Sequence, residues 1–193
     1  MQIQVDSMNG SARNNQNASN MSNNNLSGIN NQNLSGVGHK PIVHIRTSTT
    51  SDNNIITNKD YYVQFRPFLM HMLRALKPFF ELIIFTDKTK EEAEAIINEI
   101  EKEQNFFTYI IPVNYCYYVP AESIYVKDVS IFYGNRIDSE CLLVTTSAFD
   151  GLLQPLSIVP VEPFIGDDGD RILLILEMYL MTYRWSTDVR LKL

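Results

Sequence analysis

The side chains that most often carry catalysis or bind metals are few in this chain and are not grouped. The two cysteines, Cys116 and Cys141, lie far apart and lack the CxxC spacing of a zinc or redox site. The three histidines, His39, His44 and His71, show neither an HExxH motif nor another ligand spacing. We therefore expect two buried thiols, a His71 that is on a helix surface or satisfied in the core, and no zinc site.

Carboxylates are concentrated in one short segment that contains Asp167, Asp168 and Asp170. The cluster could suggest calcium, but it lacks the spacing of an EF-hand loop. Carboxylates also stabilise the amino end of a helix, and an apolar helical stripe follows directly. We interpret the cluster as the cap of a final helix, whose buried stripe would be Ile172, Leu173, Leu176, Tyr179, Leu180 and Tyr183.

Two threonines stand at the ends of short apolar runs. Residues 82–85 form a run that is too short for a helix and is typical of a strand buried in a parallel sheet. Thr86 follows this run, and Thr145 ends a similar strand predicted over residues 141–145. Ligands bind outside the carboxyl ends of such strands, so these two threonines are the positions to examine.

The other elements predict an α/β domain. We expect strands over residues 42–45 and 61–65 with a polar loop over 47–58 between them, and further strands over 109–113 and 157–161, the last at an edge because of Pro160. Apolar residues at helical spacing predict a helix over 68–76, between Pro67 and Pro78. Thr89 and Glu92 have the spacing of a capping box, which predicts a second helix with Ala93, Ile96, Ile97 and Ile100 on one face.

Composition divides the chain into two parts. Residues 1–38 are dominated by Asn, Ser, Gln and Gly and predict a disordered tail, because they bury too little apolar surface to offset the entropy of ordering. Residues 39–193 form the predicted globular domain. The formal net charge of -6 argues against a nucleic-acid partner. The chain has no membrane-spanning run, signal core or presequence, so we expect a soluble nuclear or cytoplasmic protein.

Several short motifs occur in a fixed order along the globular part. Arg66-Pro67 precedes a helix, FELIIFT covers residues 80–86, YVKD covers 125–128, and an acidic turn at 164–170 precedes the last helix. Over residues 40–184 this order resembles the CTD-phosphatase family, the NLI-interacting-factor-like branch of the haloacid dehalogenase superfamily. The resemblance implies a three-layer, Rossmannoid α/β domain with a central, mostly parallel sheet.

The acidic motifs of that family are missing. In active relatives the first Asp of a DxDxT motif attacks phosphorus, the second is the general acid and base, and a later DN pair helps to hold magnesium. The DN pair here reads Thr145-Thr146. The resemblance therefore implies no catalytic residue, no metal ligands and no cofactor in this chain.

The first motif has two possible registers, and both lack the aspartates. If residues 40–43 are the first strand, the acidic positions fall near Ile45 and Thr47. If residues 42–44 instead match the segment after DxDxT, the motif is replaced by residues 36–41. The nearest carboxylates, Asp52 and Asp60, have no DxD spacing.

Two phosphate-handling positions of the family remain. Thr86 matches the second-motif Thr, which donates hydrogen bonds to phosphate, and Lys127 matches the third-motif Lys, which neutralises phosphate and the nucleophile. The alternative for Thr86 is a strand-end threonine that satisfies the local backbone. The alternative for Lys127 is a surface lysine paired with Asp128 or Asp87.

The leading functional hypothesis is an inactive pseudophosphatase that binds a phosphoprotein or another protein as a scaffold. The alternatives are an active phosphoprotein phosphatase with a displaced nucleophile, for which Asp52 and Asp60 are the candidates, and a relative of the mitochondrial presequence-import receptor. A decaying gene product without stable function is a fourth. If the domain were active, we would expect magnesium dependence.

Overall fold

The computed structural model of the chain describes residues 43–50, 56–132 and 138–192. The predicted tail over residues 1–38 lies outside the described residues, as do His39, Asp52 and the segment 36–41 that one register assigns to the first motif. Within the described ranges, no helix is long and apolar enough to cross a membrane.

The first two strands form an antiparallel hairpin. β1 (Val43–Thr50) pairs with β2 (Ile56–Val63), so that Ile45 lies opposite Tyr61. Burial alternates along β1, with Ile45 and Thr47 buried and their neighbours exposed. The polar loop expected over residues 47–58 is wrong for residues 47–50 and 56–58, which belong to β1 and β2 and include β-branched residues that favour a strand.

The first helix, α1 (Leu69–Leu76), begins two residues after Pro67 and ends before Pro78, as its spacing predicts. It buries Leu69, Met72, Leu73 and Leu76. Burial of each such side chain contributes roughly 1.5–3 kcal/mol. His71 is exposed on the outer side of this helix, 3.3 Å from Glu177, which confirms the helix-surface interpretation of that histidine.

The next three elements make a parallel β-α-β unit. β3 (Leu82–Phe85) pairs in parallel with β4 (Phe107–Ile111), and α2 (Lys90–Ile100) connects them. The predicted capping box is confirmed: Glu92 N donates to Thr89 Oγ1 over 3.3 Å, and Thr89 N donates to Glu92 Oε2 over 3.2 Å. Glu92 also accepts a hydrogen bond from the Tyr61 hydroxyl, which fastens α2 to β2.

The second half of the fold contains two more strand pairs. β5 (Tyr117–Val119) and β6 (Ile124–Val126) form an antiparallel hairpin, and β7 (Leu143–Thr145) pairs in parallel with β8 (Ile158–Pro160). All of β7 is buried, as expected for a strand covered on both faces.

The last helix, α3 (Ile172–Met181), starts where the acidic cluster predicts. Ile172 N donates to Asp170 Oδ1 over 2.8 Å, so the capping interpretation holds for Asp170, whereas the N-cap residue itself is Arg171 and Asp167 accepts from Gly169 N. The Asp170 carboxylate is 2.8 Å from the guanidinium of Arg66, just before α1. The predicted stripe packs inward through Leu173, Leu176, Leu180 and Tyr183, while Ile172 and Tyr179 are half-buried.

The fold is α/β, and its parallel strands are β3 with β4 and β7 with β8. Among the described residues these are two separate two-stranded sheets. Leu82 and Ile84 of one pair share a single core with Val144 and Val159 of the other. Thr86 and Thr145 thus stand at the carboxyl ends of two buried parallel strands, as the sequence predicts.

Candidate functional site

Thr86 extends β3 by one residue and is half-buried. Its amide donates to Ile111 O over 2.9 Å, which continues the pairing with β4. Its hydroxyl oxygen accepts a hydrogen bond from Lys88 N over 3.2 Å. The hydroxyl therefore serves the local backbone in this structure, as the simpler interpretation of Thr86 expects, and phosphate binding at Thr86 stays a prediction.

Lys127 directly follows β6 and is almost completely buried, with 2% of its surface exposed. Its Nζ atom lies 3.1 Å from Asp150 Oδ2, and its backbone amide donates to Asp150 Oδ1 over 2.9 Å. The alternative of a surface lysine paired with Asp128 or Asp87 is therefore wrong. Lys127 can lie in the interior because the buried carboxylate of Asp150 neutralises its charge.

Thr145, the last residue of β7, binds the same carboxylate. Its hydroxyl donates to Asp150 Oδ2 over 2.7 Å, and its oxygen accepts a hydrogen bond from Ser147 N over 3.1 Å. Thr145 occupies one of the positions at which the resemblance expects an acidic residue. In place of an acidic residue, the structure has a neutral hydroxyl that contacts the carboxylate of Asp150, five residues further along the chain.

Asp150 is the residue that sequence reasoning missed. It lies in a short 3-10 segment, Ala148–Leu152, five residues after Thr145, and it is 0% exposed. An isolated aspartate between Phe149 and Gly151 has no motif around it. Its one sequence signal is a charge set in an apolar stretch, where a carboxylate needs a partner.

Hydrogen bonds of Gln154 form a second link between the Asp150 segment and the YVKD motif. Gln154 Nε2 donates to Asp128 Oδ1 over 2.6 Å, and Gln154 Oε1 accepts from Val129 N over 3.3 Å. Burial opposes ionisation of Asp128, but hydrogen bonds from Ser130 and Gln154 outweigh it and hold the pKa of Asp128 below its usual value. The segment from Asp150 to Gln154 is thus tied to the loop after β6 at both of its ends.

Cys116 lies beside the backbone of Thr86. Its Sγ atom lies 3.6 Å from Thr86 O, within reach of a weak hydrogen bond. Burial raises the pKa of the Cys116 thiol to about 11; the charge of Lys127 lowers it, and the charges of Asp87 and Asp150 raise it. The thiol thus contacts the backbone of Thr86, and the charges of Lys127, Asp87 and Asp150 act on its pKa. Cys116 and Cys141 are both half-buried, so the expectation that both are buried is only partly met.

Asp60, the described candidate for a displaced nucleophile, is engaged elsewhere. It lies on β2, where its Oδ1 atom accepts hydrogen bonds from Arg46 Nε over 2.8 Å and from His44 Nε2 over 3.0 Å. The Arg46 contact holds the pKa of the Asp60 carboxyl below its usual value.

The family model described as NLI interacting factor-like phosphatase matches residues 40–190. The chain belongs to the NLI interacting factor-like phosphatase family. The match covers α1, α2 and α3 and the motifs whose order resembles the CTD phosphatases.

Among the proteins that are similar to this chain in sequence, two illustrate the degree of similarity. The chain is 30% identical over 130 residues to nuclear envelope morphology protein 1 of Schizosaccharomyces pombe, a match that covers 67% of the chain and 26% of that protein. It is 29% identical over 127 residues to the mitochondrial import inner membrane translocase subunit TIM50 of Kluyveromyces lactis, with coverage of 65% and 25%. The chain therefore spans about a quarter of the length of these relatives.

A solved structure establishes the fold. The fission yeast RNA polymerase II CTD phosphatase Fcp1, solved with beryllium fluoride, superposes with a TM-score of 0.50 over 73% of this chain and 40% of that one. The sequence identity is 17%, so the likeness concerns the fold alone. The predicted haloacid-dehalogenase-like α/β domain is confirmed.

The described donors of this family member do not fit a magnesium ion. Mg²⁺ is held by carboxylates in near-octahedral geometry, and here the buried carboxylate of Asp150 already faces the ammonium group of Lys127. Thr145 contributes a hydroxyl that is committed to the same carboxylate. Among the described residues, no three His, Cys, Asp or Glu side chains are grouped to hold a metal ion.

Proposed function

We propose that this domain is a catalytically inactive member of its family that acts as a binding or scaffold protein. The observation that carries the proposal is the buried ion pair between Lys127 and Asp150. In active relatives the resemblance assigns this lysine to the phosphate and the nucleophile. Here its ammonium is neutralised within the chain, so it is not available to an incoming phosphoryl group.

The chemistry of the neighbouring positions supports the same proposal. Phosphoryl transfer needs a nucleophile in line with phosphorus and positive charge to offset what gathers on the phosphoryl oxygens. Thr145-Thr146 supply no carboxylate where the family has an acidic pair, and Asp150 is enclosed by hydrogen-bond donors. A carboxylate that is fully buried against an ammonium group is a poor nucleophile.

Activity is tested directly with the full chain. We expect no magnesium-dependent hydrolysis of p-nitrophenyl phosphate above the level measured in EDTA. The matched control variants are Asp60→Asn and Asp150→Asn, with circular dichroism to confirm that each is folded. Hydrolysis that needs magnesium and is lost in either variant would overturn the proposal, and a beryllofluoride adduct on one carboxylate would identify the displaced nucleophile.

A protein, phosphorylated or not, is the partner that the exposed aromatic surface favours. Tyr117, Tyr118 and Tyr125 of the β5–β6 hairpin are exposed directly before Lys127, and the rings of Tyr118 and Tyr125 lie 5.0 Å apart. Exposed tyrosines are enriched where proteins bind each other. Partners recovered with the wild-type chain should be lost with Tyr118→Ser/Tyr125→Ser and kept with Tyr109→Ser, an exposed tyrosine of β4.

A second candidate function follows from the similarity to TIM50, a protein named as a translocase subunit of the mitochondrial inner membrane. A binding role at that organelle competes with our prediction of a nuclear or cytoplasmic location. A tagged copy followed by microscopy separates them: exclusive mitochondrial signal favours the second candidate, and its absence favours the first.

A further inference from the structure

We propose that the Asp150 carboxylate is an internal substitute for a phosphate group, seated in an oxyanion site that the chain fills by itself. The ligand class of the opened site is a phosphate dianion, free or as a monoester. The inference rests on the proposed function, because a site that is filled from within serves no turnover. It adds that the donors of an anion-binding site are still present and that one side chain, Asp150, occupies that site.

The donors around Asp150 are those that bind oxyanions elsewhere. Oδ1 receives the backbone amide of Lys127 over 2.9 Å, and Oδ2 receives Lys127 Nζ over 3.1 Å and the Thr145 hydroxyl over 2.7 Å. Since Ser147 N donates to Thr145 Oγ1, the single hydroxyl proton is directed to the carboxylate. A converging amide, hydroxyl and ammonium group form strong, charge-assisted hydrogen bonds with an anion of either kind.

The donors and the carboxylate come from different parts of the fold. Lys127 follows β6 and Thr145 ends β7, whereas Asp150 is carried by the 3-10 segment Ala148–Leu152. Gln154 ties the end of this region to Asp128 independently of Asp150. Truncation of Asp150 should therefore remove the anion and leave the three donors of Lys127 and Thr145, and the hydrogen bonds of Gln154, in place.

Two substitutions at this position separate charge from space. Asp150→Ala removes the carboxylate and leaves both a cavity and an unpaired ammonium group on Lys127. Asp150→Asn also removes the charge, but the amide fills the same space. Because a tetrahedral phosphate is larger than a carboxylate, we expect the site to open in the alanine variant and to stay filled in the asparagine variant.

The experiment uses the full chain as wild type, Asp150→Ala, Asp150→Asn and Lys127→Met/Asp150→Ala. Thermal midpoints and calorimetric titrations are compared in sodium phosphate and sodium chloride at equal pH and ionic strength. We expect phosphate to raise the midpoint of Asp150→Ala selectively and to bind it at least about tenfold more tightly than the wild type, the effect of one hydrogen bond to a charged group. Asp150→Asn and the double variant should show no preference for phosphate.

A folded Asp150→Ala protein that does not prefer phosphate to chloride overturns the inference, as does equal phosphate binding by the double variant. If Asp150→Ala does not fold in chloride, refolding from urea in phosphate decides: recovery of the native circular dichroism supports the inference, and no recovery overturns it. A parallel titration with O-phosphoserine distinguishes a site open to monoesters from one for the free anion. Turnover by the wild type contradicts the proposed function through a separate readout, whatever Asp150→Ala binds.

Discussion

The Oδ2 atom of Asp150 lies 3.1 Å from the Nζ atom of Lys127, and both side chains are almost entirely excluded from water. The ammonium belongs to a motif that the family uses for phosphate, and the carboxylate comes from a segment without a motif. Breaking a buried pair by removing one partner is far more costly than replacing both. The stability of the domain should therefore depend on this contact in a way that can be measured.

Asp150→Asn should lower the free energy of unfolding by about 3–5 kcal/mol, because it leaves the buried Lys127 ammonium unpaired. Lys127→Met/Asp150→Asn should lose less than the sum of the single variants, since the amide still accepts from the Lys127 backbone and no buried charge remains. Urea unfolding of the four proteins in the cycle checks this. Glu103→Gln, in the exposed pair with Arg74, is the control and should change stability by less than about 1 kcal/mol. Additive losses in the cycle would contradict the pairing.

Asp170 should give the domain acid sensitivity. Burial opposes its ionisation, but hydrogen bonds from Arg66 and the Ile172 amide, with the charge of Arg66, outweigh burial and hold the pKa of Asp170 below its usual value. Because the folded pKa lies below that of the unfolded chain, this stabilisation is fully present above about pH 4 and is lost as the pH falls through the folded pKa.

Unfolding of the wild type and of Asp170→Asn by urea between pH 6 and pH 2 measures the Asp170 contribution. The difference in unfolding free energy between the two proteins should shrink as the pH falls below about 4. Asp168→Asn, an exposed neighbour in the same turn, is the matched control. A difference that is constant over the whole range would show that the ion pair to Arg66 does not depend on the charge of Asp170.

Local signals in the sequence were sufficient for several elements. The apolar run at 82–85 is β3 to the residue, and Thr89 with Glu92 makes the predicted capping box, because both signals act within one turn or one strand. The strand residues 47–50 and 56–58 were missed because their polar composition is also that of a loop, and the antiparallel pairing of β1 with β2 becomes visible only in the fold.

The candidate site was predictable only in part, for a reason of the same kind. Thr86 and Thr145 could be placed because strand ends mark the ligand edge of an α/β sheet. The state of Lys127 could not, since its partner Asp150 is 23 residues away and is brought near by the packing of a short segment without periodicity. The partner of a buried charge such as Lys127 can be identified only once the fold is known.

Cys116 should react slowly with alkylating reagents. With a pKa of about 11, only about one thiol in a thousand is ionised at pH 8, and the thiolate is the reactive form. In a Cys141→Ser background, the iodoacetamide rate should keep rising with pH beyond 9 in the folded protein, whereas the urea-unfolded chain should level off above its ordinary pKa of about 8.5. A plateau near pH 8.5 in the folded protein would contradict the burial of this thiol.

Substitutions of Thr145 test whether a carboxylate at this position, where the family has an acidic residue, is compatible with Asp150. Its Oγ1 atom lies 2.7 Å from Asp150 Oδ2, so Thr145→Asp sets two carboxylates side by side in a buried place. Like charges this close cannot both stay ionised without a large cost, and Lys127 can neutralise only one of them.

We expect unfolding experiments to rank the loss of stability as smallest for Thr145→Ser, which keeps the hydroxyl, intermediate for Thr145→Val, and largest for Thr145→Asp. Asp150→Asn should restore part of the loss in Thr145→Asp, although by itself it destabilises the wild type. If Thr145→Asp is as stable as Thr145→Val, and Asp150→Asn only adds to its loss, a carboxylate at position 145 does not compete with Asp150 for the charge of Lys127.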